Sequence, residues 1–129
     1  MFNNPYLQTE AETLTPGQLL LKAYQEIFDA LKEAKEAIKN NDTITKAKMI
    51  SKIDRIISIL QAALDFENGG EIAKNLDYLY NTSKHWLLKA NLENKIEYLE
   101  TVEEILLPLY EAWQEVVKKE EGQVKSNEI

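Results

Sequence analysis

The sequence predicts an all-α protein, an antiparallel four-helix bundle with up-down-up-down topology. Four segments carry apolar residues at intervals of three and four, the period of an amphipathic helix. Only four glycines and three prolines interrupt the 129 residues. The breaks between the segments are short, so that consecutive helices are expected to pack as antiparallel neighbours. With 44% apolar and 29% charged residues, the composition is that of amphipathic helices rather than of a disordered chain.

Helix one is predicted to begin at Thr15. The Thr15 side chain can cap free backbone N–H groups, Pro16 suits the first helical position, and Gln18 completes a capping box. Residues 40–42 end this helix and offer caps for the next. The face expected to point inward comprises Leu19, Ala23, Ile27, Ala30 and Ala34, with Leu20, Tyr24, Leu31 and Ile38 beside them.

Helix two is predicted over residues 44–66. Its isoleucines are β-branched, which is common in strands, but the length of the segment and the lack of alternation favour a helix. The inward face is formed by Ile50, Ile53, Ile57, Leu60 and Leu64.

Helix three is predicted over residues 71–90, after Asn68-Gly69-Gly70, which is the strongest breaker in the sequence. Residues 91–94 form its last turn. The inward face is expected to comprise Ile72, Leu76, Leu79, Ser83, Leu87 and Ala90.

Helix four is predicted to extend to about residue 121. Pro108 removes one backbone hydrogen bond inside it and predicts a local kink, while Gly122 is expected to end it. The inward face comprises Leu99, Val102, Leu106, Leu109, Trp113 and Val116. The chain therefore divides into a flexible or docking segment (1–14), the bundle (15–122) and a flexible tail (123–129).

Composition excludes several classes of function. Fifteen Lys and Arg against 22 Asp and Glu give a net charge of −7, which disfavours binding to nucleic acid. No cysteine is present, and a single histidine, His85, cannot supply a di-iron site. We find no phosphate loop and no nucleophile motif. The sequence thus predicts no enzyme, no catalytic residue, no cofactor and no metal site.

The sequence also contains no secretory signal and no apolar run near the roughly 18 residues that span a bilayer. The protein is predicted to be soluble and cytoplasmic, without membrane insertion.

Helix two is more apolar than a bundle core requires. A second sector beside its inward face contains Met49, Ile56, Ile59, Ala63 and Phe66, and Leu21 and Phe28 lie outside the main face of helix one. Taken singly, each residue is explained by a wider core or by packing under the N-terminal segment. Taken together, they favour an apolar groove with an acidic rim, for a helix of a partner or of a second copy of this chain.

Several motifs resemble those of the FliS family, the flagellin-specific export chaperones. The resemblance covers nearly the whole chain, and the loop between helices two and three is its most specific part. It is carried by Asn4-Pro5-Tyr6, Thr13-Leu14-Thr15-Pro16, residues 64–76, Leu79-Tyr80, Ala90-Asn91 and Ala112-Trp113.

The resemblance implies a cytoplasmic, non-catalytic bundle that holds the disordered C-terminal segment of flagellin. Such a chaperone prevents premature polymerisation and keeps the subunit competent for the flagellar export apparatus. In the family, an N-terminal segment with a tyrosine, here Tyr6, can lie over the bundle and move aside for the client. The residues predicted to bind a partner are Tyr6, Leu21, Tyr24, Phe28, Met49, Ile56, Ile59, Ala63 and Phe66.

The chain departs from the family pattern at polar surface positions. Thr9 replaces a second tyrosine, His85 and Trp86 replace a pair of arginines, Lys95 replaces an aspartate, and Tyr110 replaces an arginine. These changes leave two alternatives open. One is a diverged member that serves another flagellar export or regulatory protein, and the other is a structural bundle that associates into a homodimer.

Overall fold

The computed structural model describes the backbone of residues 13–127 and the side chains of residues 13–123. This part of the chain forms four helices and no strand. The all-α class predicted from the sequence is confirmed. The helices are α1 (Pro16–Lys39), α2 (Thr43–Ala62), α3 (Phe66–Glu93) and α4 (Ile96–Asn127).

The helices pack in cyclic order, α1 and α3 each lying between α2 and α4. Two hydrogen bonds show that α1 and α4 are antiparallel. Gln18 Nε2 donates to Glu121 Oε1 at 2.8 Å, and seven residues further along α1, Gln25 Nε2 donates to the Tyr110 hydroxyl at 2.8 Å. The up-down-up-down bundle is therefore the observed architecture.

Side-chain caps begin three of the helices. Thr15 Oγ1 accepts from the Gln18 N–H at 3.1 Å and the Thr15 N–H donates to Gln18 Oε1 at 3.0 Å, which is the predicted capping box. Asp42 accepts from the Thr45 N–H to begin α2. Asp65 accepts from the Asn68 N–H to begin α3, earlier in the chain than the glycine pair would suggest.

The core contains side chains from all four helices. Most predicted inward residues are buried or packed against the core, and three are wrong: Leu19, Ile72 and Val116 are exposed. Neighbouring residues of a helix differ by about 100° in direction, so a small error in the facing of a helix exchanges adjacent positions. The fully enclosed core residues include Tyr24, Ile27, Leu31, Ile53, Ile57, Tyr80, Leu87, Leu99, Val102 and Leu106.

Two predicted helix ends are wrong. Helix α2 ends at Ala62, and Phe66 belongs to the first turn of α3, which Gly70 interrupts with φ 50° and ψ −125°. Helix α4 continues past Gly122 to Asn127. A glycine inside a helix costs only about 1 kcal/mol relative to alanine, so it need not end one. The flexibility of residues 123–129 and the docking of residues 1–14 stay predictions.

Pro108 lies inside α4, as expected. No helix in the described part of the chain is long and apolar enough to cross a membrane.

Candidate partner-binding surface

The structure separates the predicted partner-binding residues. On α1, Leu21 and Phe28 are partly buried, and Phe28 packs edge-on against the Tyr110 ring of α4 with centroids 5.5 Å apart. Phe28 therefore belongs to the seam between α1 and α4. Tyr6 lies outside the described residues.

The predicted stripe on α2 lies on a different flank of the bundle. Met49 and Ile56 are partly buried and pack against the core. Lys52, which lies between Met49 and Ile56 along the helix, borders the groove between α1 and α2. The side of α2 that contains these three residues therefore faces α1. Ile59, 62% exposed, Ala63 and the half-exposed Phe66 remain on the surface. The eight predicted residues that the structure describes consequently do not line one groove.

Tyr24 is a core residue rather than a surface contact. Its side chain is fully buried, and its hydroxyl lies 2.6 Å from the Tyr80 hydroxyl. Trp113 Nε1 donates to the same Tyr24 hydroxyl at 3.3 Å. Burial raises the pKa of both tyrosines, because the phenolate form would lose its hydration. Tyr24 thus joins α1, α3 and α4 from inside the bundle.

A different apolar groove, the α2–α3 groove, opens between these two helices. It has a volume of about 500 Å³. Ile50 and Leu87, both core residues, form its floor. Its lining consists of Ala47, Ile50, Ser51 and Asp54 of α2 and Asn81, Lys84, His85, Leu87, Leu88 and Asn91 of α3. Because Ala47 and Ser51 have short side chains, the α2 wall is low. Neighbouring side chains nevertheless cover most of the floor, since Ile50 is 6% and Leu87 1% exposed.

Large apolar side chains stand exposed at one end of the α2–α3 groove. Leu88 and Leu92, one turn apart on α3, are 57% and 71% exposed. Ile44, at the start of α2, is 71% exposed. The nearly buried Lys46 holds the start of α2 beside the end of α3, since its ammonium group donates to the Asn91 carbonyl oxygen at 2.9 Å. The groove therefore continues into an exposed apolar rim.

The α2–α3 groove has charged side chains of both signs around it. Lys84 and His85 line it, and Lys48 and Arg55 lie exposed on α2. Among the residues that the structure describes, Asp54 is the one carboxylate in its lining. Within the described part of the chain, Lys84 makes no ion pair. The lining thus contains one lysine and one aspartate, and the excess of cations around the groove comes from Lys48 and Arg55, on a chain whose net charge is −7.

Sequence reasoning missed this groove because its α2 wall is small and polar, and therefore adds nothing to an apolar pattern. One signal was present. Leu88 and Leu92 repeat at a spacing of four on helix three, outside the face assigned to the core.

A second groove, between α1 and α2, has a volume of about 450 Å³. Charged side chains dominate its lining, which makes it a poorer seat for an apolar segment. The lining residues are Asp29, Ala30, Lys32, Glu33, Glu36 and Lys52.

The two positions that depart from the family's arginine pair take different places. His85 lines the α2–α3 groove. Trp86 turns towards α4, where its ring lies 5.3 Å from that of Tyr98, and Lys89 Nζ lies 5.2 Å and 5.0 Å from the two ring centroids. These aromatic and cation–π contacts brace α3 against α4.

Comparisons with known proteins cover most of the chain. The family model described as "Flagellar protein FliS" matches residues 1–120. The chain is 36% identical over 119 residues to the flagellar secretion chaperone FliS of Salmonella typhimurium, with 88% of each chain covered. It is 34% identical over 117 residues to the flagellar secretion chaperone FliS of Campylobacter jejuni, with 91% of each chain covered. It is 30% identical over 122 residues to that of Bacillus subtilis, with 91% of this chain and 89% of the relative covered.

Proposed function

The chain belongs to the flagellar protein FliS family, and from this premise we propose that it is a cytoplasmic export chaperone for flagellin. It holds the disordered C-terminal segment of newly made flagellin, prevents premature polymerisation, and keeps the subunit competent for the flagellar export apparatus. The name shared by its relatives, flagellar secretion chaperone, supports this role. A holder of this kind works by binding alone and catalyses no reaction.

The α2–α3 groove is the observation that carries the proposal for the client's seat. A disordered segment loses conformational entropy when it is ordered, and burial of apolar side chains must offset that loss. Fully burying one Leu or Ile side chain contributes about 1.5–3 kcal/mol. The exposed rim of Ile44, Leu88 and Leu92 offers the client such burial, above the largely covered floor of Ile50 and Leu87.

The residues predicted from the sequence take two roles in this proposal. Ile59, Ala63 and Phe66 are exposed and extend the client's contacts beyond the α2–α3 groove. The docking segment with Tyr6 covers part of the path and moves aside, as the resemblance implies. The remaining members, Leu21, Tyr24, Phe28, Met49 and Ile56, are buried or partly buried and contribute to the packing of the bundle rather than to the client's seat.

The client itself is tested by co-purification. The chain is expected to retain full-length flagellin and to lose flagellin that lacks its C-terminal segment. Equal retention of both proteins would contradict the proposed mechanism. Retention of another flagellar protein with no flagellin bound would select the diverged alternative, which nothing in the comparisons favours.

The seat is tested by Leu88→Asp, which places a carboxylate on the rim of the α2–α3 groove. Binding of the flagellin segment is expected to weaken about tenfold or more, equivalent to about 1.4 kcal/mol, in a calorimetric titration. Ile59→Glu tests the proposed extension in the same way. Val116→Asp is the matched control, since Val116 is an exposed apolar residue of α4, diagonal to α2 in the bundle.

Equal affinities for Leu88→Asp and Val116→Asp, with unchanged helicity in both, would place the client elsewhere. A dimer of the unliganded wild-type chain that Leu88→Asp dissolves would instead show that a second copy occupies the groove. Light scattering on the unliganded chain distinguishes that outcome.

A further inference from the structure

We propose that the α2–α3 groove selects an amphipathic helix with acidic flanks, so that carboxylates beside the client's apolar stripe contribute to recognition. This inference rests on the proposed function and refines it, since it names the chemistry of the segment that the groove accepts. It follows from the groove's dimensions and from the placement of its charges.

The dimensions suit a helix of about three turns. The α2 wall extends from Ala47 to Asp54 and the α3 wall from Asn81 to Asn91. At 1.5 Å per residue these walls measure about 10 Å and about 15 Å. The short side chains of Ala47 and Ser51 allow a third helix to approach α2 within the 8–10 Å usual between packed helices. A helix directs its apolar residues into the groove at i, i+3, i+4 and i+7, whereas a strand would turn alternate side chains away.

The charges suit acidic flanks. Lys84 lines the α3 side and makes no ion pair within the described residues, and His85 stands beside it. On the α2 side, Lys48 and Arg55 are exposed outside the low wall. Asp54 is the one carboxylate that the described residues contribute to the lining. A helix lying over Ile50 and Leu87 would place its flanking side chains near these cations on both sides.

The surrounding molecule sharpens this local field. Helix α2 contains four cationic residues and one aspartate. Lys46 is nearly buried and Lys52 borders the groove between α1 and α2, so two cations, Lys48 and Arg55, remain. Helix α4 contains eight glutamates and three lysines, and it lies diagonally across the bundle from α2. The excess negative charge of the chain is thus concentrated on the side away from α2. An acidic partner is therefore repelled at long range by the net charge of the chain and attracted at short range by the cations near the groove.

Two synthetic helical peptides provide the test. They share the same apolar stripe over three turns and differ only in their flanks, glutamate in one and lysine in the other. Fluorescence anisotropy with the full chain measures both affinities at about 50 mM and about 300 mM salt. We expect the glutamate peptide to bind at least about tenfold more tightly at low salt, and the difference to shrink at high salt because screening shortens the reach of surface charges.

The opposite result is equally clear. A net charge of −7 would by itself favour the lysine peptide. Equal binding of the two peptides, or tighter binding of the lysine peptide, would overturn the inference. Leu88→Asp is expected to weaken binding of the glutamate peptide about tenfold. If the peptide bound this variant as tightly as wild type, it would not occupy the groove, and the inference would be overturned.

Matched double variants separate the groove from the net charge. Arg55→Glu with Lys84→Glu, and Lys118→Glu with Lys119→Glu on α4, change the net charge equally. In the double variant at the groove, the ratio of the affinities for the glutamate and lysine peptides is expected to fall about tenfold. In the double variant on α4, this ratio should stay within about twofold of wild type. Equal losses in both would mean that net charge decides, and the inference would fail.

The two proposals fail separately. Preference for the glutamate peptide without retention of flagellin leaves the inference standing and removes the proposed client. Retention of flagellin without that preference keeps the proposed function and removes the inference.

Discussion

At the scale of single residues, Tyr24 is the most informative side chain. The resemblance suggested a partner-binding tyrosine, whereas the structure buries it with its hydroxyl 2.6 Å from that of Tyr80. Trp113 completes the cluster as a donor. No buried side-chain nitrogen or oxygen among the described residues lacks a partner. Because polar groups in a core must find their partners, this cluster fixes the relative register of α1, α3 and α4.

Removal of one hydroxyl tests the Tyr24–Tyr80 pair. Tyr24→Phe leaves the Tyr80 hydroxyl and the Trp113 N–H without their partner, and is expected to lower the free energy of unfolding by about 1–3 kcal/mol. Urea denaturation measures the change. Tyr78→Phe is the control, since Tyr78 is exposed and its change should stay within about 0.5 kcal/mol. Equal effects of the two variants would contradict a role for the buried pair.

The same pair predicts how stability depends on pH. Burial raises the pKa of Tyr24 and of Tyr80 in the folded chain, whereas tyrosines of the unfolded chain ionise near pH 10. Above about pH 10 the unfolded state therefore binds fewer protons, and stability falls by up to about 1.4 kcal/mol per pH unit for each tyrosine. Below about pH 10 the two buried tyrosines are protonated in both states, and their contribution to stability is fully present. The double variant Tyr24→Phe, Tyr80→Phe should show a smaller slope in denaturation between about pH 9 and about pH 11.5, and an unchanged slope would refute this account.

At the scale of elements, the Asn-Gly-Gly segment between α2 and α3 combines a correct prediction with an error. The breaker exists, but it acts as a kink at Gly70 after a first turn that Asp65 caps. Asparagine and glycine identify a break from sequence alone because their backbone preferences are local. The position of the cap depends on where the chain must enter the bundle, and composition does not contain that information.

Two glycines test this distinction. Gly70 has φ 50° and ψ −125°, and no atom lies within 4 Å of the position that a Cβ would take, so Gly70→Ala should cost about 1–3 kcal/mol from backbone strain alone. Gly122 lies inside α4 with equally open surroundings, and Gly122→Ala should stabilise the chain by about 0.5–1 kcal/mol. Thermal denaturation measures both changes. Stabilisation by Gly70→Ala would show that the kink is not required.

At the scale of the whole molecule, the bundle separates charge. Cationic residues dominate α2, glutamates dominate α4, and these helices occupy opposite corners. The α2–α3 groove exists only when the two helices lie side by side, because its floor joins Ile50 of one to Leu87 of the other. A client seated there would consequently bind the folded bundle and not the unfolded chain.

That dependence predicts stabilisation by the client. With the flagellin segment at about 100 times its Kd, the free energy of unfolding should rise by about 2.7 kcal/mol. For a domain of this size the midpoint of thermal unfolding would rise by roughly 10 °C. The Leu88→Asp variant should need about a tenfold higher concentration of the flagellin segment for the same rise in the midpoint. An unchanged midpoint where binding is saturated would mean that the segment binds the unfolded chain equally well.

The sequence by itself determined the all-α class, the number of helices, the Thr15 capping box, most of the core and the family. All of these depend on local spacing, on local backbone chemistry or on motifs in fixed order along the chain. The tertiary structure decided where the surfaces are: it joined the inward-facing Tyr24 to Tyr80, placed Phe28 against α4, and separated the predicted stripe into core and surface residues. It also formed the α2–α3 groove from residues that lie far apart along the chain, such as Ile50 and Leu87. A groove is a property of two helices packed at a particular rotation, and periodicity along one helix cannot specify that rotation.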